Sequence, residues 1–182
     1  MCKTVSSQLK YTYSIRATIQ YFFFYRIECF GLLGVNGAGK TTTFKMMTGD
    51  ERITAGSAYL KGMNLKTDLN DIYKEIGYCP QFDALLDDLT GRETLKIFCL
   101  LRGVAEKRIK TISEELAKSF GFFKHIDKQT KAYSGGNKRK LSTAIAVIGS
   151  PSVIYLDEPT TGMVSNTSKR NLRMIINGYI CL

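Results

Sequence analysis

The chain has 182 residues, 44% of them hydrophobic and 23% charged, the balance of a globular chain with material for one substantial core rather than of a disordered or fibrous one. The formal net charge of +10 suits an anionic ligand, a nucleic acid or a membrane surface without choosing among them. Five scattered cysteines without a C-x-x-C spacing, and one histidine, His125, argue against a zinc site or a disulfide framework and fit reduced thiols in a cytosolic setting.

Residues 1–27 are basic and aromatic without a clear period. The cluster Tyr21-Phe22-Phe23-Phe24-Tyr25 ends at Arg26 and Glu28, so it is not the core of a cleaved signal peptide. Phe30-Gly31-Leu32-Leu33 reads as a buried strand and Thr41 to Met47 as a helix. Gly56 to Gly62 reads as a short strand between glycine turns, and Ile76-Gly77-Tyr78-Cys79 as another, stopped by Pro80. Thr90 and Glu93 form a capping box ahead of Leu95, Phe98 and Leu101 at helical spacing. Ile109, Ile112, Leu116 and Phe120 mark a second amphipathic helix. Asn137 to Ile148 reads as a third, with Lys138, Arg139 and Lys140 in its first turn, and Val153-Ile154-Tyr155-Leu156 as a buried strand. This alternation predicts an α/β fold with a largely parallel sheet. The longest uncharged stretch, Leu141 to Leu156, is shorter than the ~20 residues of a spanning helix and contains Pro151. A role at a membrane would need its membrane part from elsewhere.

Between the first strand and helix lies Gly34-Val35-Asn36-Gly37-Ala38-Gly39-Lys40-Thr41, a match without mismatch to G-x-x-x-x-G-K-[ST]. Backbone N–H groups of Gly34, Asn36, Gly37, Ala38 and Gly39 would wrap phosphates, and the helix N-terminus adds its positive dipole end. Lys40 would reach the β- and γ-phosphates and the Thr41 hydroxyl would sit on Mg²⁺. The last strand ends in Asp157-Glu158, which delivers two carboxylates to the edge where α/β ligand sites lie. Asp157 would hold Mg²⁺ and Glu158 would polarise a water for attack on the γ-phosphate. Ser134-Gly135-Gly136 opens the third helix as a further anion site. A second phosphate site in one small domain makes sense if two copies face each other and each reads the other's γ-phosphate.

The set Gly34–Thr42, Gln81, Ser134-Gly135-Gly136 and Asp157-Glu158, in this order, resembles the nucleotide-binding domain of ATP-binding cassette transporters. Gly31 to Gly37, Tyr133 to Ala146 and Leu156 to Met163 resemble subfamily A, the lipid exporters, and most of all their second cassette. The resemblance covers about Glu28 to Met163 and implies a P-loop NTPase fold with a mostly parallel sheet, a small antiparallel β part and an inserted helical subdomain at about 84–133. Residues 1–27 and 164–182 fall outside it as divergent ends. It implies that Gly39, Lys40, Thr41 and Thr42 bind phosphates and Mg²⁺, and that Gln81 senses Mg²⁺ and the attacking water and relays that state to a transmembrane domain. Ser134, Gly135 and Gly136 would contact the γ-phosphate of ATP held by a partner cassette, and Glu158 would be the catalytic base. The ligands implied are ATP and Mg²⁺. The partners implied are a second cassette across an ATP sandwich, transmembrane domains not contained in this chain, and lipid through the parent transporter. The place implied is the cytoplasmic side of a membrane, or the cytosol for the chain alone.

The sequence departs from the family pattern in three places. Val164 stands where an aspartate is expected in the loop that crosses the dimer interface, no histidine follows Glu158 to serve as the γ-phosphate switch, and residues 1–27 match the adenine-stacking strands only weakly, through Tyr11 or Tyr13. The tail Arg173 to Leu182 is similar to a strand that the family places after the histidine, so both ends read as those of a splice variant, a fragment or a decayed copy. The leading expectation is an ATP-hydrolysing cassette. A module that binds ATP without turnover, and a cassette protein acting on ribosomes or nucleic acid, are the alternatives; no nucleic-acid motif is present.

Overall fold

The computed structural model describes residues 3–6, 30–35 and 37–157. Strand β1 (Lys3–Ser6) pairs in parallel with β2 (Phe30–Leu33), with Lys3 opposite Phe30 and Ser6 opposite Leu33. Helix α1 (Lys40–Thr48) follows. A small hairpin, β3 (Tyr59–Leu60) and β4 (Met63–Asn64), leads to α2 (Leu69–Glu75) and β5 (Ile76–Cys79). Three helices, α3 (Gly91–Leu101), α4 (Glu106–Ser119) and α5 (Gly135–Ala146), intervene before β6 (Val153–Leu156), which pairs in parallel with β5. Short 3₁₀ turns at Phe123–His125 and Thr130–Ala132 join α4 to α5. This is the α/β class that strand–helix alternation predicts, with parallel pairing in the main layers and antiparallel pairing in the hairpin.

Strand β6 shows why the core divides in two. Ile154 and Leu156 join Leu95, Cys99, Ile109, Phe120 and Leu141 on the side of α3, α4 and α5. Val153 and Tyr155 join Phe44, Leu65, Ile72 and Ile76 on the side of α1 and α2. Alternate residues therefore feed opposite clusters, and all four are buried, which is what a parallel strand covered on both faces requires.

Local chemistry accounts for most element ends. The Thr90 side chain accepts from the Glu93 N–H at 3.1 Å and Glu93 Oε2 accepts from the Thr90 N–H at 2.8 Å, so the expected capping box starts α3. Helix α5 begins two residues before the expected Asn137, because Ser134 is its N-cap and accepts from the Asn137 N–H at 3.3 Å. The two glycines occupy the first turn, and the helix ends at Ala146 before Gly149 at φ 83°. The strand expected over 56–62 shrinks to Tyr59–Leu60, because Lys61 (φ 52°) and Gly62 (φ 83°) are the two left-handed residues of a tight hairpin turn. Among the described residues no helix is long and apolar enough to cross a membrane.

Candidate functional site

Residues Gly34 to Lys40 carry the chain from the end of β2 to the start of α1. Gly37 and Gly39 have φ of 81° and 89°, the left-handed conformation that only glycine adopts freely. A Cβ added at Gly37 would meet nothing within 4 Å, so its outer side is open to a ligand. The Ala38 N–H donates to the Val35 carbonyl at 3.1 Å, and the Lys40 ammonium donates to the carbonyls of Gly34 at 2.7 Å and Val35 at 3.1 Å, spanning the mouth of the loop. No side chain caps α1, which leaves its first-turn N–H groups to an anion. Thr41 is exposed and Thr42 half-buried at that terminus, while the Thr43 hydroxyl is turned inward onto the Gly39 carbonyl at 3.0 Å. Asn36 lies outside the described residues.

Packing of α1 on the sheet sets where this loop stands. Phe44, one turn into α1, meets Tyr155 of β6 edge to face, with ring centroids 6.1 Å apart at 81°. The residue two positions beyond Tyr155 is Asp157, buried at 6% exposure. Its N–H donates to the Cys79 carbonyl at 3.0 Å. Because Cys79 pairs with Leu156, Gln81 and Asp157 leave the sheet from the same carboxyl edge. That edge is where open α/β sheets bind their ligands. Burial, and next the charges of Asp157 and Asp50, push the Tyr78 phenol up, and burial pushes the Cys79 thiol up, so both stay neutral beside the site. Glu158, the expected base, follows Asp157 directly and lies outside the described residues, as do Val164, Tyr11, Tyr13 and the tail.

Ser134 and Gly135 are exposed and Gly136 half-buried at the start of α5. A Cβ on Gly135 would meet nothing within 4 Å. This turn is held from below by Tyr133, whose hydroxyl donates to the His125 carbonyl at 2.7 Å and whose phenol is pushed up to about 12, chiefly by burial. The loop after Gln81 is stitched to the same region. Lys138 pairs with Asp87 at 2.9 Å and Lys131 with Asp88 at 3.1 Å, and the Thr130 hydroxyl donates to the Leu86 carbonyl at 2.8 Å.

Sequence reasoning left Arg139 among the basic residues of a first turn. It is 2% exposed. Its guanidinium donates to the carbonyls of Pro80 and Asp157, to the Gln81 carbonyl at 3.4 Å and to the Asp83 carboxylate at 3.3 Å. The signal was available in helical spacing. In a helix that starts at Gly135, Arg139 shares a face with buried Ser142, Thr143 and Ala146.

A glycine loop between a strand and a helix N-terminus, beside an acidic strand end on a parallel edge, defines a P-loop nucleotide-binding domain. The family profile described as "ABC transporter" matches residues 21–161. The chain belongs to that family. It is 57% identical over 136 residues to Phospholipid-transporting ATPase ABCA3 of Mus musculus, covering 75% of this chain and 8% of that protein. It is 56% identical over 153 residues to Retinal-specific phospholipid-transporting ATPase ABCA4 of Bos taurus, covering 84% of this chain and 7% of that protein. The chain thus spans less than a tenth of these relatives. In fold it is similar to the ATP-binding subunit of an ABC transporter, with a TM-score of 0.73 at 23% identity over 82% of this chain and 65% of that one. It is also similar to a dimeric ATP-binding cassette in a post-hydrolysis state bound to ADP and Pi, with a TM-score of 0.70 at 20% identity over 79% of this chain and 68% of that one.

Proposed function

We propose that this chain is an ATP-hydrolysing cassette that powers transmembrane transport, with phospholipid as the cargo class. The observation that carries the ATPase reading is the shared edge. Gln81 and Asp157 leave adjacent parallel strands, and the Phe44–Tyr155 contact ties α1 to the strand that ends in Asp157. The cargo class follows from the phospholipid-transporting relatives.

In this reading the glycine loop and the α1 N-terminus bind the β- and γ-phosphates through backbone N–H groups, and Lys40 leaves the Gly34 and Val35 carbonyls for phosphate oxygens. The Thr41 hydroxyl, the Asp157 carboxylate and the Gln81 amide form a hard-oxygen donor set that suits Mg²⁺. The ion, when bound, neutralises charge on the β- and γ-phosphates. Glu158 orients the attacking water and accepts its proton. The Ser134–Gly136 turn serves ATP held by a second cassette, since Ser134 and Gly135 are exposed, a Cβ on Gly135 would meet nothing within 4 Å, and the Ser134 hydroxyl, which accepts from the Asn137 N–H, keeps its own proton to donate. We take residues 28–163 as the cassette. Its helical subdomain, at about 84–133, is supported by α3 and α4, which lie in the connection between the paired strands β5 and β6.

Purified chain should bind ATP and hydrolyse it in the presence of Mg²⁺, and Glu158→Gln should stop turnover while leaving binding. Cargo is tested by replacing the second cassette of a phospholipid transporter with residues 28–163; ATP-dependent phospholipid export by the chimera is the expected result, and ATP turnover without export would remove lipid from the reading.

A further inference from the structure

We propose that Arg139 is a positioning residue that ties Gln81 and the Asp157 end of β6 to the helix that Ser134-Gly135-Gly136 opens, and so holds the groups facing a cassette's own nucleotide in place. The inference rests on the ATPase reading above and adds a residue to it. One guanidinium, 2% exposed and carried on α5, reaches two further chain segments. It donates to Pro80 and Gln81 after β5, to Asp83 in the same loop, and to the carbonyl of Asp157 after β6. Its own backbone is fixed in α5, where the Arg139 carbonyl accepts from the Thr143 hydroxyl at 2.8 Å. Burying a charge is costly unless it is paired and hydrogen-bonded, and Asp83 is the one carboxylate paired with it by an ion pair among the described residues. Nη1 also donates to the Pro80 and Gln81 carbonyls and Nη2 to the Asp157 carbonyl, at the two strand ends that flank the site, while the buried Nε has no hydrogen-bond partner among the described residues. A planar fork with five donors can hold several acceptors in fixed directions; a lysine can offer only a point charge on a flexible stem. The arrangement therefore fixes geometry rather than merely neutralising charge.

The test uses the full chain as wild type, Arg139→Lys and Arg139→Gln, with amide hydrogen exchange read alongside ATP turnover. Both variants should exchange the Asp157 amide, which donates to the Cys79 carbonyl at 3.0 Å, at least tenfold faster than wild type, while α3 and α4 keep their protection. Turnover should fall at least tenfold in kcat with KM for ATP within about threefold, and Arg139→Lys should restore less than a third of the loss. Equal exchange of the Asp157 amide in all three proteins overturns the proposal, and so does full recovery of kcat by lysine. Fast exchange spread over α3, α4 and α5 alike also overturns it, because the residue would then be a general structural strut. If wild type shows no turnover, the ATPase reading fails, and exchange of the Asp157 amide still decides the role of Arg139.

Discussion

Gly77→Ala should damage the chain more than any other single methyl group added at a described glycine outside a turn. Gly77 sits in β5 where α5 ends against it. A Cβ there would lie 1.9 Å from the Ala146 carbonyl oxygen, 3.0 Å from its carbon and 3.1 Å from Pro151 Cγ. The first distance is about 1.5 Å short of the 3.4 Å at which ordinary contact begins. The obstructing atoms are backbone, so no rotamer relieves them, and β5 must separate from the end of α5. Overpacking of a core costs ~1–3 kcal/mol, and a clash with main chain belongs at or above the upper figure. For a chain of this size each kcal/mol lowers the melting temperature by ~2–4 °C, so a fall of ~6–12 °C is expected. Because β5 leads to Gln81 and α5 begins at the Ser134 turn, nucleotide turnover should fall with stability. Circular dichroism melting and urea unfolding measure the effect, with Gly135→Ala as control. A Cβ on Gly135 meets nothing within 4 Å, and alanine favours the helix, so that variant should melt at or slightly above wild type. A Gly77→Ala protein that melts within 2 °C of wild type, where 2 °C is roughly the shift from 1 kcal/mol or less, would refute the close approach of β5 and α5.

Lys40→Ala should weaken ATP binding by ~10-fold or more, the cost of losing charge-assisted bonds to phosphate. Its melting temperature should stay near wild type, because the bonds it makes to Gly34 and Val35 are exposed; isothermal titration and melting separate the two effects. Tyr133→Phe should cost ~1 kcal/mol by removing the donor to the part-buried His125 carbonyl, read from urea midpoints. Burial pushes the phenols of Tyr133 and Tyr155 up to about 12. The folded state therefore holds these protons more tightly than the unfolded chain, whose tyrosines titrate near 10. The stabilisation is complete below pH ~10 and is lost as pH rises from there towards 12. Urea unfolding across that range should show the decline, and Tyr133→Phe should make it shallower.

What could be read from the sequence was mostly local. The glycine loop, the Thr90–Glu93 box and the acid-ended strand β6 are contiguous patterns with contiguous causes, and each appears where its residues place it. The features that escaped depend on distant neighbours. Arg139 carries a charge, which on a helix surface reads as solvated, and its burial follows only once Pro80, Asp83 and Asp157 are brought around it. Gly77 reads as an ordinary strand residue, because its constraint comes from Ala146, far along the chain. Helix α2 is too short, with Ile72 as its one buried residue, to show a period. A left-handed lysine leaves no mark in composition, so the strand reads through Lys61 to the Gly62 turn. The expectations for Asn36, Glu158 and the residues beyond rest on sequence alone.

ATP turnover by the purified chain, measured beside nucleotide binding with Glu158→Gln as the paired variant, decides whether this chain is a working ATPase. Mg²⁺-dependent hydrolysis that the substitution abolishes, with ATP still bound, is the expected result. Hydrolysis that persists in Glu158→Gln, or a wild-type chain that does not bind ATP, would contradict it.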